Sequence, residues 1–251
     1  MRGFYSLLAG LLVFGCSSDN EDSARTREEF CVDWAKAACT TETVSACQAA
    51  SAEACRLKQQ AFCQALVPTD FSDAKGAACI KAVGDAYKDA DLTGAELKTV
   101  LELGAPCNAI IRGPSGQGET CTGDRNCDAT KGLSCVLRGG STSGTCQVPE
   151  LVGPGQRCSA LQQVCGEGFY CDTKNCIAVK ELGESCTSGY ECGSAALCSN
   201  DGACVAKLAL GMACNVADEC ASGVCYSVNG TKTCVDRIRL SPAEAICADL
   251  R

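Results

Sequence analysis

Between Gly118 and Cys234 one pattern occurs four times: Gly-x-x-Cys followed by three more cysteines. The copies open at Gly118, Gly155, Gly183 and Gly211. Their quartets are Cys121, Cys127, Cys135, Cys146; Cys158, Cys165, Cys171, Cys176; Cys186, Cys192, Cys198, Cys204; and Cys214, Cys220, Cys225, Cys234. With 25 cysteines among 251 residues, the chain is a disulfide scaffold suited to an oxidising compartment. Aromatic residues make up only 5%, so small stapled modules are expected rather than one large core. Each short disulfide loop contributes roughly 3 kcal/mol by restricting the unfolded chain.

The last copy shows how a module is built. Cys225 and Cys234 lie symmetrically about Asn229-Gly230, a turn that places them opposite one another on two strands. Asn200-Asp201-Gly202 supplies the turn in the third copy and Gly139-Gly140 in the first. The cysteines bond either first to third with second to fourth, or first to second with third to fourth. Sequence alone leaves both open. The crossed arrangement is preferred because it ties loop to hairpin, and a lone hairpin is marginal.

Residues 26–104 carry helical signals. Thr26-x-x-Glu29 and Thr93-x-x-Glu96 are capping boxes. Phe30, Cys31, Trp34, Ala35 and Ala38 recur at helical spacing. A second helix over about 44–66, with a stripe of Cys47, Ala50, Ala54, Leu57 and Ala61, should stop at Pro68, and Ser72 should cap a third. Cys31, Cys39, Cys47, Cys55 and Cys63 are eight residues apart. Eight helical residues rise about 12 Å, beyond the roughly 7 Å that a disulfide spans between Cα atoms, so the bonds must cross between helices. A hairpin centred on Thr43 predicts Cys39–Cys47 and Cys31–Cys55, and a second one predicts Cys63–Cys79. Asp89-Ala-Asp91-Leu-Thr93 invites a calcium-loop reading, but Val100 stands where the bidentate acid belongs. The segment therefore reads as a turn feeding a capped helix. Residues 105–117 read as a Gly/Pro linker holding Cys107, and Ser241-Pro242-x-Glu244 as the start of a short carboxy-terminal helix holding Cys247. These two remaining cysteines are predicted to bond, which would return the chain end to the exit of the first domain.

At the amino end, Arg2 precedes an apolar run, Phe4 to Phe14, too short to span a bilayer. It ends in Leu12-Val13-Phe14-Gly15-Cys16, which resembles the bacterial lipobox. The resemblance implies that Cys16 is lipidated and becomes the first mature residue, leaving 24 cysteines, an even number that can all pair. The other reading is an ordinary signal peptide, with Cys16 a spare thiol. The organisation is then 1–15 lipoprotein signal peptide, 16–29 polar tether, 30–104 helical domain and 105–117 linker. Repeats follow at 118–150, 151–180, 181–208 and 209–236, and a helix at 237–251. The fold class is a small disulfide-rich protein, with a stapled α-helical domain followed by four short cysteine-rich β-hairpin repeats.

The repeats, through Gly183-Glu184-Ser185-Cys186, Cys192, Gly132-x-x-Cys135 and Gly168-x-x-Cys171, resemble the amino-terminal cysteine-rich module of Dickkopf proteins and the related EB-type modules. The whole layout is similar to cysteine-rich surface lipoproteins of myxobacteria. This implies fold and a place in the bacterial envelope, at the outer membrane or cell surface, rather than a ligand.

A formal charge of −8 argues against nucleic acid, whose recognition needs basic patches. The chain has no histidine, which removes His-dependent triads and imidazole metal sites. There is no Cys-x-x-Cys pair either. No catalytic residue, cofactor or metal is assigned. Trp34, Phe62 and Phe71 read as core, and Tyr170, Tyr190 and Tyr226 as contact candidates. The expectation is a non-catalytic, lipid-anchored surface protein. Its partners would be the membrane, through the anchor, and an unidentified surface protein or polysaccharide. The alternative is a disulfide-rich inhibitor of a protease or receptor.

Overall fold

The computed structural model describes residues 24–138, 141–228 and 230–251. Cys16 and most of the tether lie outside them, as do Gly139-Gly140 and Asn229 of two expected turns. No helix among the described residues is long and apolar enough to cross a membrane.

Helix α1, Arg27–Ala38, starts at the Thr26 capping box: the Thr26 hydroxyl accepts from the Glu29 N–H at 3.2 Å, and the Glu29 carboxylate accepts from the Thr26 N–H at 2.8 Å. It buries Phe30, Cys31, Trp34, Ala35 and Ala38. The expected helix over 44–66 is instead two, α2 (Thr41–Ala46) and α3 (Ala52–Leu66), because Thr40 and Ser51 each cap a new start. Between them Gln48 takes a left-handed φ of 52°. Of the expected stripe Cys47 is buried, but Ala50 and Ala61 are exposed. Leu57 is 61% exposed, whereas Cys55, Gln59 and Cys63 face the core. Ser72 caps a 3-10 turn, Asp73–Lys75, which then leads into α4, Gly76–Tyr87. Strand β1, Asp91–Thr93, follows, and the Thr93 capping box opens α5, Gly94–Glu102.

Twelve disulfides pair all cysteines from Cys31 to Cys247. In the helical part none follows the expected partners. The rungs are Cys31–Cys63 and Cys39–Cys55, with Cα atoms 5.5 and 5.9 Å apart. They replace Cys31–Cys55, Cys39–Cys47 and Cys63–Cys79. The hairpin is therefore centred on Cys47, not Thr43, because α2 occupies the connection between α1 and α3. Cys39 lies just past the end of α1 with ψ 64°, so the second rung is freed from the rotation that α1 would impose. Cys79 bonds Cys107, and Cys47 bonds Cys247, which overturns the Cys107–Cys247 closure.

The stretch read as a linker is part of the helical core. A 3-10 turn, Cys107–Ile110, buries Cys107 and Ile110, and Ile111 bridges to Phe71. One sizeable core results, contrary to the low aromatic content, and it also contains Leu240, Cys247 and Leu250 from the chain end.

The modules begin with β2 (Thr120–Cys121), β3 (Ser134–Leu137) and β4 (Gly144–Gln147) in the order β2-β4-β3. The second has β5 (Glu150–Val152) parallel to β6 (Gln163–Cys165), and β7 (Phe169–Cys171) antiparallel to β8 (Cys176–Ala178). The third is the hairpin of β9 (Ala196–Cys198) and β10 (Cys204–Ala206), and the fourth that of β11 (Cys225–Val228) and β12 (Thr231–Cys234). In every module the bonds are crossed, first to third and second to fourth, and the third and fourth cysteines face each other across a hairpin. Each module has its own small, cysteine-lined core.

The recurring Gly-x-x-Cys has a structural cause. Gly118, Gly155, Gly183 and Gly211 sit at φ 71–89° as the third residue of type II turns. Each glycine N–H then donates to the carbonyl of its module's last cysteine at 2.8 Å, and that cysteine's N–H donates back to the residue after the glycine at 2.9 Å. In three modules the residue after the glycine also accepts through its side chain. Glu119, Gln156 and Glu184 take the N–H of the turn's first residue at 2.7, 2.8 and 2.6 Å. Met212 cannot. Met212→Glu should therefore stabilise the fourth module by about 0.5–1 kcal/mol, read as slowed exchange of the Ala209 amide. An unchanged exchange rate would refute this account of the turn.

The chain end closes the array. Strand β13, Arg237–Arg239, pairs with β1, and Arg239 meets the Asp91 carboxylate at 3.2 Å, so this acidic loop holds an arginine. The expected helix at 237–251 is only a 3-10 turn, Ala245–Asp249, without a side-chain cap from Ser241. Both ends of the array rest on α5. Arg125 of the first module donates to the Glu102 carbonyl at the helix end. At its start, a Cβ on Gly94 would stand 2.6 Å from the Ser222 carbonyl oxygen of the fourth module. Nine helical residues rise about 13 Å, so the modules leave and return to one short base.

Candidate binding groove at the first three modules

The modules are locked together by side chains that emerge beside their cysteines. Arg138, just past β3, donates from Nη1 to the Cys158 carbonyl at 2.6 Å, and from Nη2 to those of Ala160 and Gln163. Its Nε is buried without an acceptor, and no carboxylate lies within ion-pair reach of it among the described residues.

Between modules two and three the lock is an ion pair. Lys180 meets the buried Glu191 carboxylate, and the Lys180 N–H donates to the Glu191 carbonyl at 2.8 Å. Glu191 also accepts from the Thr187 N–H at 3.2 Å. The same job falls to Asn126 in the first module and Glu219 in the fourth, each of which precedes the second cysteine and takes the N–H after the first one. In the second module Val164 stands there, and Gln163 accepts from Ala160 instead.

The Glu191 carboxyl is held below the usual glutamate range, chiefly by Lys180 and then by Thr187. A depressed carboxyl favours the charged, folded form. Its contribution is complete above the ordinary value of about 4.3 and is lost as pH falls through the lowered one. Acid should thus loosen the junction of modules two and three. The near-ultraviolet signal of the tyrosines there should fall below about pH 4 in the native chain, with a flatter profile in Glu191→Gln. Matching profiles would remove Glu191 from this role.

Above these locks lies a groove of about 360 Å³. Val136 and Leu137 of β3 form one wall, Val164, Phe169 and Tyr170 of the second module the floor, and Tyr190 of the third the far side. Tyr170 and Tyr190 pack edge to face, 5.6 Å between centroids, and Tyr190 keeps 39% of its surface exposed. Burial, then Glu191, pushes the Tyr190 hydroxyl above the usual tyrosine range. Arg138, Ser141, Gln163 and Ser188 supply polar edges. Of the expected contact tyrosines, the structure thus brings two together. Tyr226 instead donates to the Glu244 carboxylate and helps hold the chain end. Trp34 is fully buried, and Phe62 and Phe71 pack against the core. Sequence reading missed Arg138 and Glu191. The signal for Glu191 was its place before a second cysteine, shared with Asn126 and Glu219.

A larger cleft, about 560 Å³, separates α5 from the first module. Three of its polar groups are already engaged: Arg125 on Glu102, Asp124 on the Cys135 N–H at 2.8 Å, and Asn126 on Thr122. It is a seam rather than a site. Three sulfurs gather within 4.8 Å in each module, as in Cys186, Cys192 and Cys204. All are in disulfides, so they are not the thiolates that bind a metal. Compared with known proteins, the chain matches no family model, no curated protein and no solved structure.

Proposed function

We propose that this chain is a non-catalytic, lipid-anchored protein of a bacterial cell surface that binds another macromolecule, a surface protein or polysaccharide, through the groove of its first three modules. The observation that supports this most is the joint lining of the groove. Aromatic and aliphatic side chains from three modules face one cavity, in the mixture of apolar walls and sparse polar groups that binding sites show. The lipobox at Cys16 and the polar segment behind it would hold that surface away from the membrane.

Two measurements test the reading. Cys16→Ser should move the protein from the detergent to the aqueous phase, or leave an uncleaved precursor, and a variant that fractionates and matures like the native chain would remove the anchor. The soluble variant should bind isolated envelopes, with Tyr190→Ala bound several-fold more weakly; equal binding would remove the groove.

Inhibition of a protease or receptor is the second reading. Its support is Leu182 and Leu210, 63% and 59% exposed on the tips of disulfide-held turns. A protease panel with no inhibition at micromolar concentration would dismiss its protease form.

A further inference from the structure

We infer that the groove takes an extended peptide as an added β-strand, one with apolar side chains flanking a single acidic residue. This rests on the binding reading above and names its occupant.

The carrying observation is the convergence of sheet edges. Among the described residues, strands β3, β6 and β7 each have one hydrogen-bonded neighbour and residues of all three line the groove, though Arg138 already takes the Gln163 carbonyl of β6. A free strand edge is a template for another chain. On β3 the direction of the free groups follows from the ladder. The Cys135 N–H points away from β4, since it donates to the Asp124 carboxylate at 2.8 Å. Backbone groups in an antiparallel strand alternate sides, so two residues on, the N–H and C=O of Leu137 also point away from β4. Neither has a partner beyond the ladder among the described residues. Leu137 is 48% exposed on the groove wall. A peptide strand paired there would direct alternate side chains toward Phe169, Tyr170 and Tyr190.

Charge selects within that class. Arg138 uses three of its five N–H donors on carbonyls and buries a fourth at Nε. With no carboxylate partner among the described residues, its charge and remaining Nη1 donor are offered to an acidic side chain at the groove's edge. The net charge of −8 repels a longer acidic run. A sugar would use the tyrosine faces but leave the backbone edge unpaired, which is why the peptide is favoured.

The test uses the purified full chain, a displayed library of random peptides, and soluble glucan and chitin oligosaccharides. Enriched peptides should carry one Asp or Glu among alternating apolar residues. Their affinity should fall about tenfold when the amide paired with Leu137 is N-methylated, and about tenfold for Leu137→Pro, which deletes the edge N–H. The methylated peptide reads the native protein, so the result does not depend on the variant folding. Tyr190→Ala should weaken the same peptides. No enrichment, or enriched peptides indifferent to N-methylation, would overturn the peptide strand. Binding of oligosaccharides alone would overturn it too while leaving the binding reading standing, whereas loss of all envelope binding would remove both.

Discussion

Replacing Cys47 and Cys247 together by alanine should lower the stability of the helical core by about 3–4 kcal/mol. The bond spans 200 residues, and in the chain-entropy view the gain grows with the logarithm of loop length. The inner disulfides shorten the effective loop, so the full value for so long a span is not reached. Both sulfurs are fully buried, and two small cavities add to the loss. Without the bond, the three-residue pairing of β13 with β1, the Arg239–Asp91 contact, the Gln59–Asp249 hydrogen bond and the packing of Leu240 and Leu250 are left to hold the return segment. The modules should keep their own order, because their cysteines bond within each module at separations of 11–19 residues. Trp34, the one tryptophan, reports the core by fluorescence, and limited proteolysis should cut near Asp236 to Ser241. A variant with an unchanged unfolding midpoint and an intact tail would show that the closure adds nothing to stability.

What could be read from the sequence was what local chemistry decides. Thr26 and Thr93 make their capping boxes because donor and acceptor are three residues apart. The crossed pairing within modules was favoured, though not settled, by cysteines placed symmetrically about a turn and by the instability of an untethered hairpin. The mirror symmetry of the helical cysteines was also legible, but not its centre. Thr40 and Ser51 both offer caps inside the connection, and choosing between one helix and two decides whether Cys47 is a rung or the apex. Once it is the apex it has no partner in the hairpin, and Cys247 takes it. The partner of Cys107 depended on tertiary packing: Ile110 and Ile111 bring residues 107–111 into the helical core beside α4. The groove was beyond reach for a similar reason. Its lining comes from three modules whose mutual placement depends on Arg138, Lys180 and Glu191, of which only Glu191 is marked in the sequence, by its place before a second cysteine.

Gln59→Met should cost about 2 kcal/mol despite replacing a polar residue by an apolar one of similar size inside a core. Gln59 is fully buried on α3. Its Oε1 accepts from the Trp34 indole N–H at 3.1 Å, and its Nε2 donates to the Asp249 carbonyl at 2.8 Å. One amide therefore joins α1, α3 and the chain end, 190 residues away along the sequence. Methionine leaves the indole N–H buried without an acceptor, and that desolvation, rather than the lost bond itself, dominates the cost. The Asp249 carbonyl sits on an exposed residue and can turn to water, so it adds little. The consequence is a coupling that a double-mutant cycle isolates. Trp34→Phe also loses packing, but in its background the orphaned donor no longer exists, so Gln59→Met should cost roughly 1 kcal/mol less there than in the native chain. Denaturant unfolding of the four proteins gives the coupling, and exchange of the Leu250 amide, which donates to the Cys247 carbonyl at 3.2 Å, reports whether the tail loosens in step. Strictly additive losses, with the tail amide unchanged, would mean that Gln59 only fills space and that the disulfide, the β13–β1 pairing and the packing of Leu240 and Leu250 hold the chain end without it.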